Sequence, residues 1–150
     1  MRGVIQRVSQ ASVIIDEKKV AAIHDGLLVF LGIEIQDTKE DSSWLANKIS
    51  QLRIFSDEEG KMNKSVTEID GEVVVVSQFT LHAKIKKGTR PSYIKAARPE
   101  QAIPLYNQFK KDFSDVTGKE VQSGEFAADM KVSLTNDGPV TIIIDTKNKE

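Results

Sequence analysis

Residues 72–81 read Glu-Val-Val-Val-Val-Ser-Gln-Phe-Thr-Leu, and the change of character after Val76 is where chemistry can be placed. Four successive valines suit a strand buried on both faces. Such a strand gains nothing structurally by ending in Ser77, Gln78 and Thr80, because a hidden hydroxyl or amide without a partner costs about 1–3 kcal/mol. These groups either line a site or meet solvent and neighbouring backbone. Ester hydrolysis by a hydroxyl nucleophile needs a histidine base and an orienting carboxylate, and the chain has only His24 and His82. His24 falls in a turn signal. His82 shares a face with Thr80 only if residues 80–82 are extended. With no cysteine and no HxxxH or clustered His-carboxylate spacing, disulfides, thiolate chemistry and a metal centre have no basis in the sequence, and no cofactor is expected.

The elements that must position this segment follow from period and punctuation. Residues 4–15, 20–23 and 27–33 read as three strands in a meander, broken at Asp16-Glu17-Lys18-Lys19 and His24-Asp25-Gly26. Trp44, Leu45, Ile49 and Leu52 have helical spacing, with Thr38 and Asp41 placed as a capping box, which predicts a helix over 39–52. Pro99 suits the start of a second helix with Ala102, Leu105, Tyr106 and Phe109 as its apolar stripe, although Pro104 in its early turns would move that start later. Ser56-Asp57-Glu58-Glu59-Gly60 and Asp70-Gly71 are turn clusters, and residues 61–69 between them carry no legible pattern. Residues 121–123, 130–135 and 140–145 read as strands, the last two joined through Asn136-Asp137-Gly138-Pro139, which by its turn chemistry is a hairpin tip. Eight strands and two helices with short connections predict an α/β protein: a largely antiparallel, curved or barrel-like sheet with two packed helices.

A length of 150 residues fits one domain spanning the whole chain, and 39% hydrophobic with 29% charged residues is an ordinary globular composition. No apolar stretch reaches membrane length and the N-terminus alternates like a strand rather than a secretion signal, so a cytoplasmic location without a membrane partner is expected. Charge is unevenly placed. Between Glu72 and Glu100 there are six cations (Lys84, Lys86, Lys87, Arg90, Lys95 and Arg98) and no acid, so the rest of a chain with net charge −1 carries −7. A basic segment on an acidic protein suits limited contact with phosphates; as a bare charge run it also suits a solvated loop.

Several strings together resemble the D-aminoacyl-tRNA deacylase family: Ser77-Gln78-Phe79-Thr80-Leu81, Asn136-Asp137-Gly138-Pro139-Val140-Thr141, the opening Met1-Arg2-Gly3-Val4-Ile5-Gln6-Arg7-Val8, Lys86-Lys87-Gly88-Thr89-Arg90-Pro91-Ser92, and Phe126-Ala127-Ala128-Asp129-Met130. Ala127 departs from the glycine usual there. The resemblance implies a homodimer with active sites at the subunit interface, acting on the acceptor end of D-aminoacyl-tRNA. It implies that backbone N–H groups around Gln78 and Phe79 face the scissile carbonyl, with Thr80 as a positioning or polarising hydroxyl beside Ser77. It further implies a cis Gly138-Pro139 bond reaching into the partner's site, Arg7 bracing that motif, and Phe79 with Met130 lining the terminal adenosine pocket. Lys86, Lys87 and Arg90 are the candidate tRNA phosphate contacts.

Such a reaction matches the missing acid–base apparatus. Aminoacyl esters are activated and carry a vicinal ribose hydroxyl, so they need positioning and oxyanion stabilisation more than a strong nucleophile. A rigid backbone that excludes L side chains would also admit glycine. Two other classes stay open on the residues: a noncatalytic RNA-binding dimeric module using loop 82–98, and a structural dimer whose strand ends only pack.

Overall fold

In the computed structural model, which describes residues 1–150, the longest ladder joins the two ends of the chain. Strand β1 (Arg2–Ile15) pairs antiparallel along one edge with the last strand, β8 (Lys131–Asp145), from Arg2 opposite Asp145 to Ile14 opposite Lys131. Its other edge carries β3 (Gly26–Gly32) against residues 2–8 and β2 (Lys18–Ile23) against residues 11–15. From Arg2 opposite Gly32 through Ala11 opposite Ile23 the pairing keeps one register. The expected meander is therefore one long hairpin, with β2 and β3 lying end to end on the same neighbour. The break at His24-Asp25 marks where β6 (Glu72–Ser77) enters: the Glu72 carboxylate accepts from the His24 N–H at 2.7 Å, and a Cβ on Gly26 would stand 1.8 Å from the Glu72 carbonyl oxygen. Only glycine lets the two strands meet there.

β6 lies parallel to β3, and the short β7 (Gln122–Ser123) lies parallel to β6. Parallel neighbours need long crossovers, and the two predicted helices supply them: α1 (Lys39–Ser50) between β3 and β6, α2 (Pro99–Thr117) between β6 and β7. The four remaining pairings are antiparallel, including the small ribbon of β4 (Phe55–Ser56) and β5 (Met62–Lys64), whose second strand falls in the stretch that had no legible pattern. Eight strands and two α-helices result. Residues 130–135 and 140–145 are not two strands around a hairpin tip. Both belong to β8 and run the same way along β1.

The valine run is explained by two cores. Val73 and Val75 join the larger one beneath the helices with Leu27, Leu45, Phe109 and Phe113, whereas Val74 and Val76 join Val8, Val13 and Leu28 in a smaller core that the curled sheet encloses. Alternation of side chains across a strand thus buries all four. The helices share one face and are clamped together, the Ser42 and Ser43 hydroxyls donating to Asp112 at 3.1 and 2.9 Å. Helix α1 begins as read, with the Asp41 carboxylate accepting from the Thr38 N–H at 2.9 Å. Helix α2 begins at Pro99 itself, and Pro104 does not move that start. The Tyr106 hydroxyl on α2 donates to the Val75 carbonyl at 2.9 Å, and burial pushes its phenol up to about 12.

Both chain ends are fixed by charge. The Met1 ammonium is paired with Asp37 and donates to the Thr146 hydroxyl at 2.8 Å, with the side chains of both ions fully buried. Lys147 donates to Asp41 at 2.8 Å. Partial burial would raise the Asp41 carboxyl, but hydrogen bonds from Lys147, Thr146 and Thr38 outweigh it and hold the group well below the usual range. Removing one partner of a buried ion pair leaves the other charge stranded. Asp37→Asn should therefore lower the unfolding free energy by about 3–5 kcal/mol, read as a lower urea midpoint with an unchanged slope.

Candidate active site

The chain leaves β6 at Ser77 and at once forms a single turn of 3₁₀ helix, Phe79–His82. Its entry is fixed by the Gln78 N–H, which donates to the Leu31 carbonyl at 2.8 Å, and by the Leu81 N–H, which donates to the Gln78 carbonyl at 3.2 Å. The Gln78 N–H is thus committed to the sheet and is no free donor to a substrate, which corrects the reading that placed it facing a carbonyl. Its side chain acts instead, the amide donating to the Thr80 hydroxyl at 2.6 Å. A hydroxyl that accepts this bond keeps its own proton to donate elsewhere. Thr80 and His82 are not on one extended face, because the turn rotates them apart. His82 is buried and its Nε2 has no partner, so no nucleophile–base dyad exists here.

Ser77, Gln78 and Phe79 open onto a cavity of about 310 Å³. Its floor includes Leu31 and Ala102, and its far wall is the segment Phe126 to Met130. That wall is set by packing: Phe126 meets the Tyr106 ring edge-on at 5.8 Å, and the Met130 sulfur occupies space that a Cβ on Gly124 would claim, at 2.3 Å from where it would stand. The cavity gathers four of the sequence-derived residues, Ser77, Gln78, Phe79 and Met130. Thr80 instead lines a wider groove of about 970 Å³, shared with Arg2, Leu81, Ile85, Ile143 and Asp145.

Gly138-Pro139 stands apart from both. In β8 the register slips so that Thr141 faces Gln6 while Asn136 faces Val8, leaving the four residues between them opposite Arg7 alone. The ladder cannot hold them, and Asp137, Gly138 and Pro139 arch outward as an exposed bulge containing a cis Gly138-Pro139 bond. Arg7 grips the arch, its Nε donating to the Asp137 carbonyl at 2.7 Å while its other end donates to the Ile54 carbonyl at 2.6 Å. The Asn136 amide closes it, donating to the carbonyls of Arg7 and Val140, each at 3.0 Å. A Cβ on Gly138 would lie 2.1 Å from the Val140 nitrogen. No other residue fits.

The basic segment forms a loop from Lys84 to Ser92, whose backbones exchange hydrogen bonds at 2.8 and 3.0 Å. Lys84, Lys86, Lys87, Arg90, Lys95 and Arg98 are all exposed, and none has a carboxylate within ion-pair distance. Sequence reasoning missed Arg2. Its guanidinium donates to the Leu81 carbonyl at 2.6 Å and twice to Asp145, at 3.0 and 2.7 Å, tying the far end of the 3₁₀ turn to the ends of β1 and β8. Only the juxtaposition of both chain ends reveals that role.

Ala127 sits at φ +64°, in a turn closed by the Ala128 N–H donating to the Glu125 carbonyl at 3.2 Å. Left-handed backbone costs a residue with a Cβ about 1–2 kcal/mol, partly offset because glycine has more freedom to lose on folding. The departure from glycine is therefore a strained one. Ala127→Gly should raise unfolding stability by about 1 kcal/mol in urea denaturation.

Comparison with known proteins places this geometry. The family described as D-Tyr-tRNA(Tyr) deacylase matches residues 4–145. A D-aminoacyl-tRNA deacylase of Bacteroides fragilis (strain YCH46) is 64% identical over 150 residues, covering 100% of both chains. Among solved structures, one described as "c-Myc DNA Unwinding Element Binding Protein" superposes with a TM-score of 0.91 at 39% identity, covering 97% of this chain and 99% of that one. Another, "Structural Analysis of a probable eukaryotic D-amino acid tRNA deacylase", shares the fold with a TM-score of 0.81 at 17% identity, covering 95% and 97%. With the family match spanning residues 4–145 and a relative 64% identical over the full chain, the chain belongs to the D-Tyr-tRNA(Tyr) deacylase family.

Proposed function

We propose that this protein hydrolyses the ester joining a D-amino acid to the 3′ end of tRNA, releasing the free amino acid and tRNA in the cytoplasm, and that it accepts glycyl-tRNA while rejecting L-aminoacyl-tRNA. One observation carries the reading: the polar end of β6 opens onto an apolar cavity beside a main-chain turn, with no acid–base pair near it. That arrangement suits an activated ester. The terminal adenosine would enter the cavity against Phe79 and Met130, bringing the carbonyl to the Phe79 N–H and the Thr80 hydroxyl. As water attacks, the carbonyl oxygen gains charge against these donors, and the departing ribose oxygen recovers the proton that the water gives up. The vicinal hydroxyl orients the water. Each preorganised donor of this kind is worth about 3–4 kcal/mol.

Chirality is read by main chain. The Gly138-Pro139 arch of a second copy would hold the α-amino region with its carbonyls and fill the space an L side chain needs, whereas a D side chain points outward and glycine offers nothing to exclude. A homodimer is supported by the surfaces left open. β8 has no neighbour on its outer edge, and Ile85 and Ile143, 70% and 68% exposed, face the groove beside Thr80. A long free edge with apolar neighbours invites pairing. Lys86, Lys87 and Arg90 would meet tRNA phosphates.

A second reading has its own support. The unpaired cations, together with a relative described as binding a DNA element, favour nucleic-acid binding without turnover. Deacylation kinetics separate the two. D-Tyr-tRNA and Gly-tRNA should be cleaved and L-Tyr-tRNA spared; equal rates for D and L, or no cleavage of any, would sink the deacylase reading. Thr80→Ala should lower kcat on D-Tyr-tRNA about 100–1,000-fold without shifting the melt. Gly138→Ala, which cannot keep the arch, should lose at least about tenfold in activity or in D-over-L preference; a binding module would tolerate both changes.

A further inference from the structure

Phe79 and Tyr93 are exposed aromatic rings, 54% and 38% accessible, in edge-to-face contact with centroids 5.0 Å apart and planes at 73°. Phe79 also lines the mouth of the cavity. Two rings nearly at right angles make a notch, in which a flat heteroaromatic base stacking on one face meets the edge of the other. Nothing in the chain covers it. Tyr93 is not on a loose tip: the Ala96 N–H donates to its carbonyl at 3.0 Å, the Ala97 N–H donates to the Ile33 carbonyl at 3.0 Å, and the Ile35 N–H donates to the Lys95 carbonyl at 3.1 Å. The ring therefore stands on a base sewn to the end of β3. Beside it projects the 84–92 loop with Lys84, Lys86, Lys87 and Arg90 exposed and unpaired. Stacking rings with free cations alongside are the features that bind single-stranded nucleic acid without hydrogen-bond readout of sequence.

We infer that Tyr93 and the 84–92 loop form a second nucleotide subsite, outside the cavity, which stacks the base preceding the terminal adenosine and neutralises its phosphates. This rests on the deacylase reading and adds a length requirement to it. A single nucleoside fills the cavity but cannot reach Tyr93, while the unpaired 3′ end of an RNA can occupy both. Binding energy gathered on this notch then anchors the ester in the cavity, so kcat/KM rises with each nucleotide that reaches it.

The experiment compares two D-tyrosyl esters, one on adenosine alone and one on the trinucleotide CCA, by the ratio of their kcat/KM values. In wild-type protein the trinucleotide should be favoured at least about fivefold, from one stacked base. Tyr93→Ala should bring that ratio close to one, while Tyr93→Phe, which keeps the ring, should retain it. The advantage should shrink as salt rises, and less steeply in a Lys86→Gln, Lys87→Gln, Arg90→Gln variant, because fewer phosphates are neutralised. A ratio in Tyr93→Ala equal to wild type overturns the inference alone. A change in sedimentation of Tyr93→Ala with an unaltered ratio also overturns it and makes the notch a contact between copies of this chain. Failure to cleave either ester overturns the deacylase reading and this inference with it.

Discussion

The pairing of β1 with β8 is the constraint on which the rest depends. Because the two strands bond from Arg2 to Ile14, every side chain along both has its face assigned, and a one-residue slip would invert them. The extra residues opposite Arg7 have nowhere to go within that register, so they leave the plane. Ladder pairing on both sides makes the protrusion rigid, and the bonds from Arg7 and Asn136 to main-chain carbonyls stiffen it further. An exposed loop would ordinarily be mobile. This one is framed by the longest ladder in the fold.

The same geometry explains what the sequence revealed and what it hid. The valine run, both helices and the Thr38 cap were legible because each is a local signal of period or capping. Asn136-Asp137-Gly138-Pro139 misled because its turn chemistry is genuine: the chain does turn there, but a bulge and a hairpin tip use the same residues, and only the partner strand tells them apart. The meander misled for a related reason. Punctuation at His24-Asp25 marks an interruption, yet the register on β1 continues through it, and whether two segments lie side by side or end to end is a property of the neighbour. The polar end of β6, read as a candidate site, lines a cavity in the structure. That Gln78 spends its N–H on Leu31 is a tertiary fact with no local signature.

A turn that offers main-chain donors to a substrate must itself be held at both ends, or the donors move as charge develops. Here the entry is held by the Leu31 carbonyl and the exit by Arg2, whose charge sits against the Leu81 carbonyl at 2.6 Å. A cation at the carbonyl end of a helical turn satisfies an orphan acceptor and opposes the local dipole. Burial of Asp145 would raise its carboxyl, but the Lys147 N–H and Arg2 outweigh this and hold it below the usual range, so the anchor stays charged. Under the proposed function, positioning by fixed dipoles would stand in for a nucleophile–base pair at the turn.

The separation of the two anchors bears on how many chains a complete site needs. Arg2 holds the 3₁₀ turn and Arg7 holds the arch, and both are on β1, five residues apart. At about 3.4 Å per residue the anchors stand about 17 Å from one another along a strand too well paired to fold back. Under the proposed function, an aminoacyl ester lying between the turn and the arch would have to touch both, which requires them within a few ångströms. A single chain holds them apart by the same ladder that makes each rigid, and the arch points outward from its own cavity. Under the proposed function, the arch of a second copy would have to supply what the chain's own arch cannot reach. The rigidity of both anchors and the distance between them are thus consequences of a single strand pair.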